Sequence, residues 1–397
     1  MKWWSKNMKI LFMSMSLELG CKDLYCDLIE NLIKRGHVIT IVRSQYKISK
    51  TNYNKVNGSF SILNVKTGDP FNKNLIKKGL NQILLSNYFK KAIKKYLDKE
   101  NFDLILYATP PVTLASVVKY CKEKYQAKTF LMLKDIFPQN AVDLRMMKKE
   151  SIVYKYFRKQ EKKYYQYSDF IGCMSQRNKD YVLEHNPEVD SKKVGVFPNS
   201  IFIEEVAGLS FNKNKTVFMF GGNLGKPQNI SGLLNIIKKL KNYSKAEFYI
   251  IGKGAEEEKI KKFVEQEKCS NFSYKSFIPQ KEYEEILKSV DIGLISLDPR
   301  FTIPNIPSRL QGYLKLKKPV LAITDINTDL KEMIMEHDCG WWCSALDEVK
   351  VIETIKYICE NKEEQIKKGL NGFEYLEQEF DVEKNVDILE SIFLYKK

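Results

Sequence analysis

Residues Val217–Asn229 read VFMFGGNLGKPQN, an apolar run that ends in Gly221, Gly222 and Asn223. The segment SGLLNIIKKL follows from Ser231 and has the apolar spacing of an amphipathic helix. Together they predict a buried strand, a glycine turn and a helix. In open α/β sheets, ligands bind at the carboxyl ends of strands, where glycine lets the backbone approach closely. A helix N-terminus favours negative charge, so this turn is a candidate diphosphate site.

The same pattern repeats along the second half of the chain. Helical patterns separate further apolar runs, which lie at 246–256, 272–279, 291–297 and 318–324. We therefore predict five strands in a doubly wound sheet. The second of these strands ends in Gly252-Lys253-Gly254, which predicts another glycine turn at the edge of the sheet where Gly222 lies.

The segment Phe301–Val320, FTIPNIPSRLQGYLKLKKPV, predicts a second anion-binding element. Proline is favoured at a helix start, so Pro307 puts Ser308 and Arg309 in the first turn. A hydroxyl, a guanidinium and free backbone N–H groups would converge there, which suits a phosphate. An anion would also offset the unfavourable interaction of an arginine with the positive end of the helix dipole. The alternative is a helix start without a ligand.

The first half of the chain predicts another α/β sheet, and the length of 397 residues favours two domains. Gly20 lies in the loop after the first strand and is a candidate acceptor-side residue, with a simple turn as the alternative. Asp135 ends a later strand and is a candidate general base or sugar-hydroxyl ligand, with a helix cap as the alternative. The predicted strands of this half are Lys9–Met15, 38–44, 103–111, 127–135, 169–176 and 193–200.

The positive charge of the chain is concentrated in its first half. Residues 1–200 contain 36 Lys and Arg against 18 Asp and Glu, whereas the rest contain 29 against 31. This asymmetry indicates an anionic surface or substrate facing the first half. The basic helical pattern of 75–97 fits contact with anionic lipid, or else a solvated face over a packed stripe. Trp3 and Trp4 could touch a membrane interface, or pack against the protein.

Several classes of protein are disfavoured by the composition. No apolar run approaches the ~20 residues that span a bilayer, and no signal peptide is recognisable, so we expect a cytoplasmic protein. The eight cysteines show no CxxC pair, and the three histidines lie far apart, so we expect reduced cysteines and no metal site. No nucleic-acid-binding motif is present, and we expect no nucleic-acid partner.

At this point the chain resembles the glycosyltransferases of the GT-B fold, family four. The segments that carry the resemblance occur in family order at 35–42, 134–144, 220–230, 250–256 and 306–322. Within the family, the chain is similar to bacterial O-antigen and capsule enzymes, including L-fucosamine transferases. The resemblance implies two Rossmann-like domains facing a central cleft: residues 1–205 for the acceptor, residues 206–379 for the nucleotide sugar, and a helix at 380–397 that crosses back onto the first domain.

The resemblance also implies site residues. The acid of the cleft motif matches Asp135, which we assign as catalytic together with Arg309. Lys226 lies two residues from the usual place of a phosphate-binding lysine. The donor-binding positions are Gly222, Asn223, Lys226, Gln228, Gly252, Gly254, Phe277, Ile278, Ser308, Arg309 and Leu310.

The implied activity is a retaining, metal-independent transfer of an N-acetylated hexosamine type of sugar. The donor would be a UDP-sugar, and the acceptor a polyprenyl-diphosphate-linked sugar at the inner membrane surface. No cofactor is expected.

The chain departs from the family pattern at two pairs of positions. Pro304 and Gly312 stand where two glutamates are common, and Asn223 and Gln228 stand where an arginine and a lysine are usual. A sugar-nucleotide 2-epimerase on the same fold and a non-catalytic, partner-binding paralogue therefore remain as alternatives.

Overall fold

The computed structural model describes residues 7–15, 17, 24–69, 75–204 and 214–393. The described chain forms two compact units. The first contains the residues up to Phe202 and those from Val382 onward, and the second spans Ile203–Asp381. The predictions for Gly20, Trp3 and Trp4 lie outside the described residues. Among the helices that are described, none combines the length and the apolar character needed to cross a membrane.

The first unit is built on an eight-stranded sheet with the order β3-β4-β2-β1-β5-β6-β7-β8. Neighbouring strands run parallel, except that β3 pairs antiparallel with β4 at one edge. The strands are β1 Lys9–Ser14, β2 Val38–Gln45, β3 Asn52–Lys55, β4 Phe60–Lys66, β5 Leu104–Ala108, β6 Lys128–Leu133, β7 Phe170–Cys173 and β8 Val194–Val196.

The hairpin of β3 and β4 is absent from the sequence prediction, which gave six strands for this half. The strand β3 reads NYNK, so it has no apolar run, and as an edge strand it needs none. The strand β4 reads FSILNVK and pairs along its whole length with β2. The Asn57-Gly58 dipeptide between them is a strong hairpin signal that could have revealed the pair.

Helices connect the strands of the first unit, and the C-terminal helix belongs to this unit as well. Its helices are α1 Leu24–Lys34, α2 Leu75–Tyr96, α3 Ala115–Tyr125, α4 Gln139–Asp143, α5 Ile152–Tyr167, α6 Gln176–His185 and α14 Val382–Phe393, with short 3-10 helices at Val112–Leu114 and Ser191–Lys193. The helix α14 packs its apolar face against α1. The buried His37 accepts a hydrogen bond from Met8 N (3.0 Å) and lies 3.0 Å from Glu390 Oε1, so its role is structural.

The second unit contains a six-stranded parallel sheet with the order β11-β10-β9-β12-β13-β14. The chain moves from β9 towards one edge and later returns to the other side of β9 at β12. The order therefore reverses between β9 and β12, and a crevice forms at the carboxyl ends of strands at such a point. The strands are β9 Thr216–Gly221, β10 Ala246–Ile251, β11 Phe272–Lys275, β12 Ile292–Ser296, β13 Val320–Thr324 and β14 Gly340–Ser344.

The prediction of five strands for this half missed β14, GWWCS. Its pattern is short and ends in Ser344, yet the strand pairs with β13 over five residues. The helices of the second unit are α7 Ile230–Lys239, α8 Glu257–Glu267, α9 Gln280–Ser289, α10 Arg309–Lys315, α11 Leu330–Glu336, α12 Glu348–Glu360 and α13 Lys362–Glu379, with a 3-10 helix at Lys226–Gln228. The predicted fold class, two Rossmann-like α/β sheets, is confirmed.

Candidate functional site

The turn after β9 exposes backbone at the switch point of the second sheet. Gly222 has a φ of +115°, in the left-handed region where a side chain would be strained. Its N–H donates to Ile251 O (2.9 Å), which fixes the turn against β10. The chain then passes through the 3-10 helix to Asn229, whose side chain caps α7 by accepting from Gly232 N (3.3 Å). The predicted strand, turn and helix are all present.

The glycines after β10 allow two loops to meet. A Cβ on Gly252 would lie 1.8 Å from Gly222 O, and one on Gly254 would lie 2.4 Å from Leu224 O. The two loops are also joined by a hydrogen bond from Leu224 N to Lys253 O (2.9 Å). Gly252 and Gly254 therefore determine where the backbone of Gly222 lies.

The Gly252→Ala variant is expected to be destabilised by about 2 kcal/mol or more, because the new methyl group meets a backbone carbonyl that cannot rotate away. Gly312→Ala is the matched control, since no atom lies within 4 Å of a Cβ at that helical position. The control should be neutral, or more stable by about 0.4–1 kcal/mol. Urea unfolding of both variants measures the difference, and equal stabilities would contradict this role for Gly252.

Arg309 begins α10 and lies beside the glycine turn. Its guanidinium carbon lies 4.0 Å from the centroid of the Phe220 ring, and its Nη2 would lie 3.8 Å from a Cβ on Gly222. Its Nη1 is buried and has no hydrogen-bond partner. Burial lowers the pKa of this guanidinium, but an arginine stays protonated at neutral pH. Among the described residues no carboxylate pairs with it, so the turn holds an uncompensated positive charge.

Two tyrosines, which the sequence analysis did not identify, shape the surroundings of Arg309. The hydroxyl of Tyr283 would lie 2.2 Å from a Cβ on Gly221, so it occupies the space that this glycine leaves. The buried Tyr313 hydroxyl accepts from Gly221 N (3.2 Å) and lies 3.0 Å from Met219 O. Burial raises the pKa of both phenols, so both stay protonated at neutral pH and can donate hydrogen bonds.

The remaining predicted residues of the turn differ in exposure. Lys226 and Asn223 are exposed, whereas Gln228 is half-buried and its Oε1 has no hydrogen-bond partner. Pro227 O accepts from Asp298 N (2.9 Å), so this turn is attached to the loop that follows β12. The turn and that loop therefore form adjoining walls at the switch point.

Four other predicted donor residues occupy distinct positions. Phe277 follows β11 and is exposed, with Lys253 Nζ 4.9 Å from its ring centroid, and Ile278 is half-buried. Ser308 is the exposed N-cap residue of α10, and its hydroxyl makes no capping bond. Leu310 is fully buried and its N–H donates to Pro307 O (3.1 Å), so its side chain packs in the core.

Asp135 lies in the first unit, just after β6. Its N–H and that of Lys134 donate to the buried Thr109 hydroxyl, at 3.2 and 3.0 Å. The N-cap of the next helix, α4, is Pro138, so Asp135 does not cap it. Burial raises the pKa of the Asp135 carboxyl to about 6. A half-buried carboxylate with such a pKa suits proton transfer near neutral pH.

Lys134, the neighbour of Asp135, is also perturbed by its surroundings. Its Nζ lies 5.6 Å from the Phe197 ring centroid, and the residue lines a small cavity together with Tyr25 and Asn385. Burial lowers the pKa of this amine to about 7. Lys134 is not among the residues predicted from the sequence, although its place at a strand end next to a candidate acid is a signal that could have revealed it.

Two family models match adjoining parts of the chain. Residues 24–205 match the model described as Glycosyltransferase Family 4, and residues 202–373 match Glycosyl transferases group 1. The two matched ranges adjoin at the boundary between the two units. Together they cover every strand described above except β1.

Known proteins resemble the chain over most of its length. WbjE of Pseudomonas aeruginosa, described as a probable glycosyltransferase, is 28% identical over 300 residues, which are 73% of this chain and 74% of WbjE. Anabaena HepE, solved with UDP and glucose, has a TM-score of 0.67 at 14% identity, covering 97% of this chain and 99% of HepE. WaaG, a glycosyltransferase involved in lipopolysaccharide biosynthesis, has a TM-score of 0.67 at 10% identity, covering 98% of this chain and 100% of WaaG. At these identities the solved structures show a shared fold.

Proposed function

Because the chain belongs to the family-four glycosyltransferases of the GT-B fold, we propose that it transfers a sugar from a UDP-sugar to a lipid-linked acceptor in bacterial surface polysaccharide biosynthesis. The observation that carries this proposal is the unpaired guanidinium of Arg309 beside the exposed backbone of Gly222. A diphosphate supplies the negative charge that this arrangement lacks. HepE, which shares the fold, was solved with UDP bound.

The donor is held by its diphosphate in this proposal. Arg309 binds the phosphate oxygens through its free N–H groups, and the exposed Ser308 hydroxyl and Lys226 ammonium add further donors. As the bond between the sugar and the diphosphate breaks, negative charge grows on the leaving oxygen. A fixed cation at that place stabilises the transition state more than the ground state.

The reaction is proposed to be retaining and independent of metal ions. In metal-dependent transferases a divalent cation neutralises the leaving diphosphate, and here we assign that role to Arg309 with Lys226 and Ser308. A chelator is therefore expected to change the transfer rate by no more than about twofold. That is a small change in the activation free energy, in which a tenfold change of rate corresponds to about 1.36 kcal/mol. Initial rates with EDTA and with added Mg²⁺ or Mn²⁺ measure this. A rate that collapses with EDTA and returns with a metal would contradict the proposal.

The acceptor side is assigned to the first unit. Asp135 accepts the proton of the acceptor hydroxyl as the new glycosidic bond forms, since its pKa of about 6 keeps it mostly ionised and still basic at neutral pH. The excess of positive charge in residues 1–200 favours an acceptor carried on a polyprenyl diphosphate at an anionic inner membrane surface. An N-acetylated hexosamine is the sugar type we propose.

A transfer assay tests the function. The full chain is incubated with a panel of UDP-sugars and a polyprenyl-diphosphate-linked sugar, and UDP and the extended glycolipid are measured by mass spectrometry. We expect UDP release that depends on the acceptor with at least one donor. Interconversion of UDP-sugars without an acceptor would identify an epimerase instead. Failure of every UDP-sugar to bind in calorimetry would leave a non-catalytic paralogue.

A further inference from the structure

The connection between α4 and α5 forms a structured corner on the surface of the first unit. It begins where Arg145 adopts a left-handed φ of +55°, and the N–H of Met146 donates to Ala141 O (2.8 Å). It ends at Ser151, whose hydroxyl accepts from Tyr154 N (3.1 Å) and so caps α5. Both ends of the corner are hydrogen-bonded, so its backbone is held in place.

The corner exposes large apolar side chains. Ile152 is 88% exposed, and Val153 and Met146 are each 53% exposed. Single exposed apolar residues are ordinary, but a group of three on one structured corner indicates an interaction surface. The apolar group is therefore available to contact another surface.

Positive charge surrounds these apolar side chains. Residues 145–167 contain eight Lys and Arg against two Glu. Both glutamates are paired, Glu150 with Lys155 at 3.7 Å and Glu161 with Arg158 at 2.6 Å. Within the described chain, the basic residues without a carboxylate partner include Lys148, Lys149, Lys159 and Lys163. Such a face complements an anionic surface.

An open groove of about 590 Å³ extends the basic face along α5. Five of its eight lining residues are cationic, and Lys162 among them is paired with Glu188 at 2.9 Å. The lining consists of Lys155, Arg158, Lys159, Lys162 and Lys163 with Glu150, Tyr154 and Gln166. A groove lined by cationic side chains next to an apolar tip has the arrangement needed for a phosphate headgroup above an acyl chain.

The helix α2 adds a second apolar stripe at the same end of the unit. Leu80 is 54% exposed, and Ile83, Leu84 and Tyr88 are exposed beside it at helical spacing. The helix carries six lysines and no acidic residue. Both α2 and α5 pack against the 3-10 helix Val112–Leu114, which follows the carboxyl end of β5. The strand β6, which Asp135 follows, is the parallel neighbour of β5, so both helices reach the edge of the sheet that carries Asp135.

We propose that this corner and the α2 stripe dock the enzyme on an anionic lipid bilayer, with Met146, Ile152 and Val153 inserted between headgroups. The inference deepens the proposed function, which calls for a lipid-linked acceptor. Apolar burial supplies the anchor, and the lysines bind the lipid phosphates. Since the corner and Asp135 belong to the same connection between β6 and α5, docking presents the polyprenyl diphosphate to the acceptor side.

Vesicle flotation of the full chain tests the surface. Wild-type protein is expected to float with vesicles of phosphatidylcholine and phosphatidylglycerol. With vesicles of phosphatidylcholine alone it should remain at the bottom of the gradient. The double variant Ile152→Asp with Val153→Asp should bind at least tenfold more weakly. The matched control is Leu346→Asp with Val349→Asp in the second unit, where the two side chains are 79% and 68% exposed. That control should float as wild type does.

Charge-reversal variants test separately how much the lysines contribute to vesicle binding. Lys148→Glu and Lys149→Glu should each weaken binding by about fivefold or more, since each basic residue near an anionic surface contributes about 1 kcal/mol. Added salt should also weaken the binding of wild type to anionic vesicles. Equal flotation of wild type with neutral and anionic vesicles would overturn the assignment.

The failure of this inference can be separated from failure of the proposed function. UDP binding is measured by calorimetry without vesicles, and the corner variants should keep wild-type affinity. If UDP binds but the corner variants float like wild type, or wild type binds no vesicles, the docking surface is wrong and the donor site stands. If wild type binds no UDP or UDP-sugar, the proposed function fails, whatever the vesicles show.

Discussion

Replacing Arg309 by methionine is expected to lower kcat/KM for sugar transfer by about 100- to 1000-fold, the usual effect of removing one group that stabilises developing negative charge. The reason is geometric and electrostatic together. Arg309 lies over Phe220 beside the exposed Gly222 backbone, and among the described residues no carboxylate neutralises it. Steady-state kinetics with saturating acceptor give the value, once the donor is known.

The Arg309→Met variant should remain folded. The Nη1 of this arginine makes no hydrogen bond to the described chain, and the substitution mainly removes a cation–π interaction with Phe220, worth about 0.5–2 kcal/mol. Lys356→Met serves as the control, since it removes an exposed cation of α12 that lies 5.9 Å from the centroid of the Tyr243 ring. The control should keep activity within a few-fold. A similar loss in both variants would mean that the effect is structural and that Arg309 has no special role.

The Asp135→Asn variant is expected to lose about 100-fold in kcat while becoming more stable, because an amide cannot accept the acceptor's proton. If the role of Asp135 were purely structural, the substitution would lower both the activity and the stability of the protein. The carboxyl pKa is raised by burial from 3.8 to about 6, so folding disfavours its ionised form. Removing that charge should stabilise the protein by about 1–3 kcal/mol at pH 8.

The pH dependence follows from the same shift. Because the folded pKa lies above the unfolded one, the destabilisation is absent below about pH 4, grows between pH 4 and 6, and is fully present above pH 6. The stability difference between Asp135→Asn and wild type should follow this course in urea titrations. Wild-type kcat/KM should fall below about pH 6, whereas the residual activity of the variant should show no such limb. A variant with an unchanged acid limb would exclude Asp135 as the base.

The parts of the fold that the sequence predicted correctly share a strong local signal. The runs that became β9, β12 and β13 are buried on both sides and read as continuous apolar segments bounded by glycine, proline or charge. The turn at Gly222 combines such a run with a helical pattern. For these elements, local sequence and tertiary structure agree. The motifs also indicated a family-four glycosyltransferase of the GT-B fold, and this membership is confirmed.

The elements that were missed depend on tertiary contacts. The edge strand β3 is polar and exists through its pairing with β4, and β14 is specified by its pairing with β13. Tyr283 lies in the segment EYEEIL and looks like any residue of a surface helix, yet its hydroxyl reaches the space beside Gly221. No local pattern reports a contact between residues 62 positions apart.

Only part of the candidate site could be predicted from the sequence, for the same reason. The helix that begins near Pro307 could be read locally, and it led to Ser308 and Arg309. The lack of a partner for Arg309 could not be read, because it depends on which carboxylates the fold brings nearby. Gly252 and Gly254 were predicted as donor-binding residues. The structure shows them packed on the Gly222 loop, at distances that leave no room for a side chain.

The most direct test of the central claim compares the binding of UDP and uridine by calorimetry, with EDTA present, to wild type and to Arg309→Met. If Arg309 holds the diphosphate, wild type should bind UDP at least 100-fold more tightly than uridine, and the variant should lose most of that preference while binding uridine as before. Two charge-assisted hydrogen bonds of about 1.5–3 kcal/mol each are enough to account for such a preference. A variant that keeps the wild-type preference for UDP over uridine would contradict the claim.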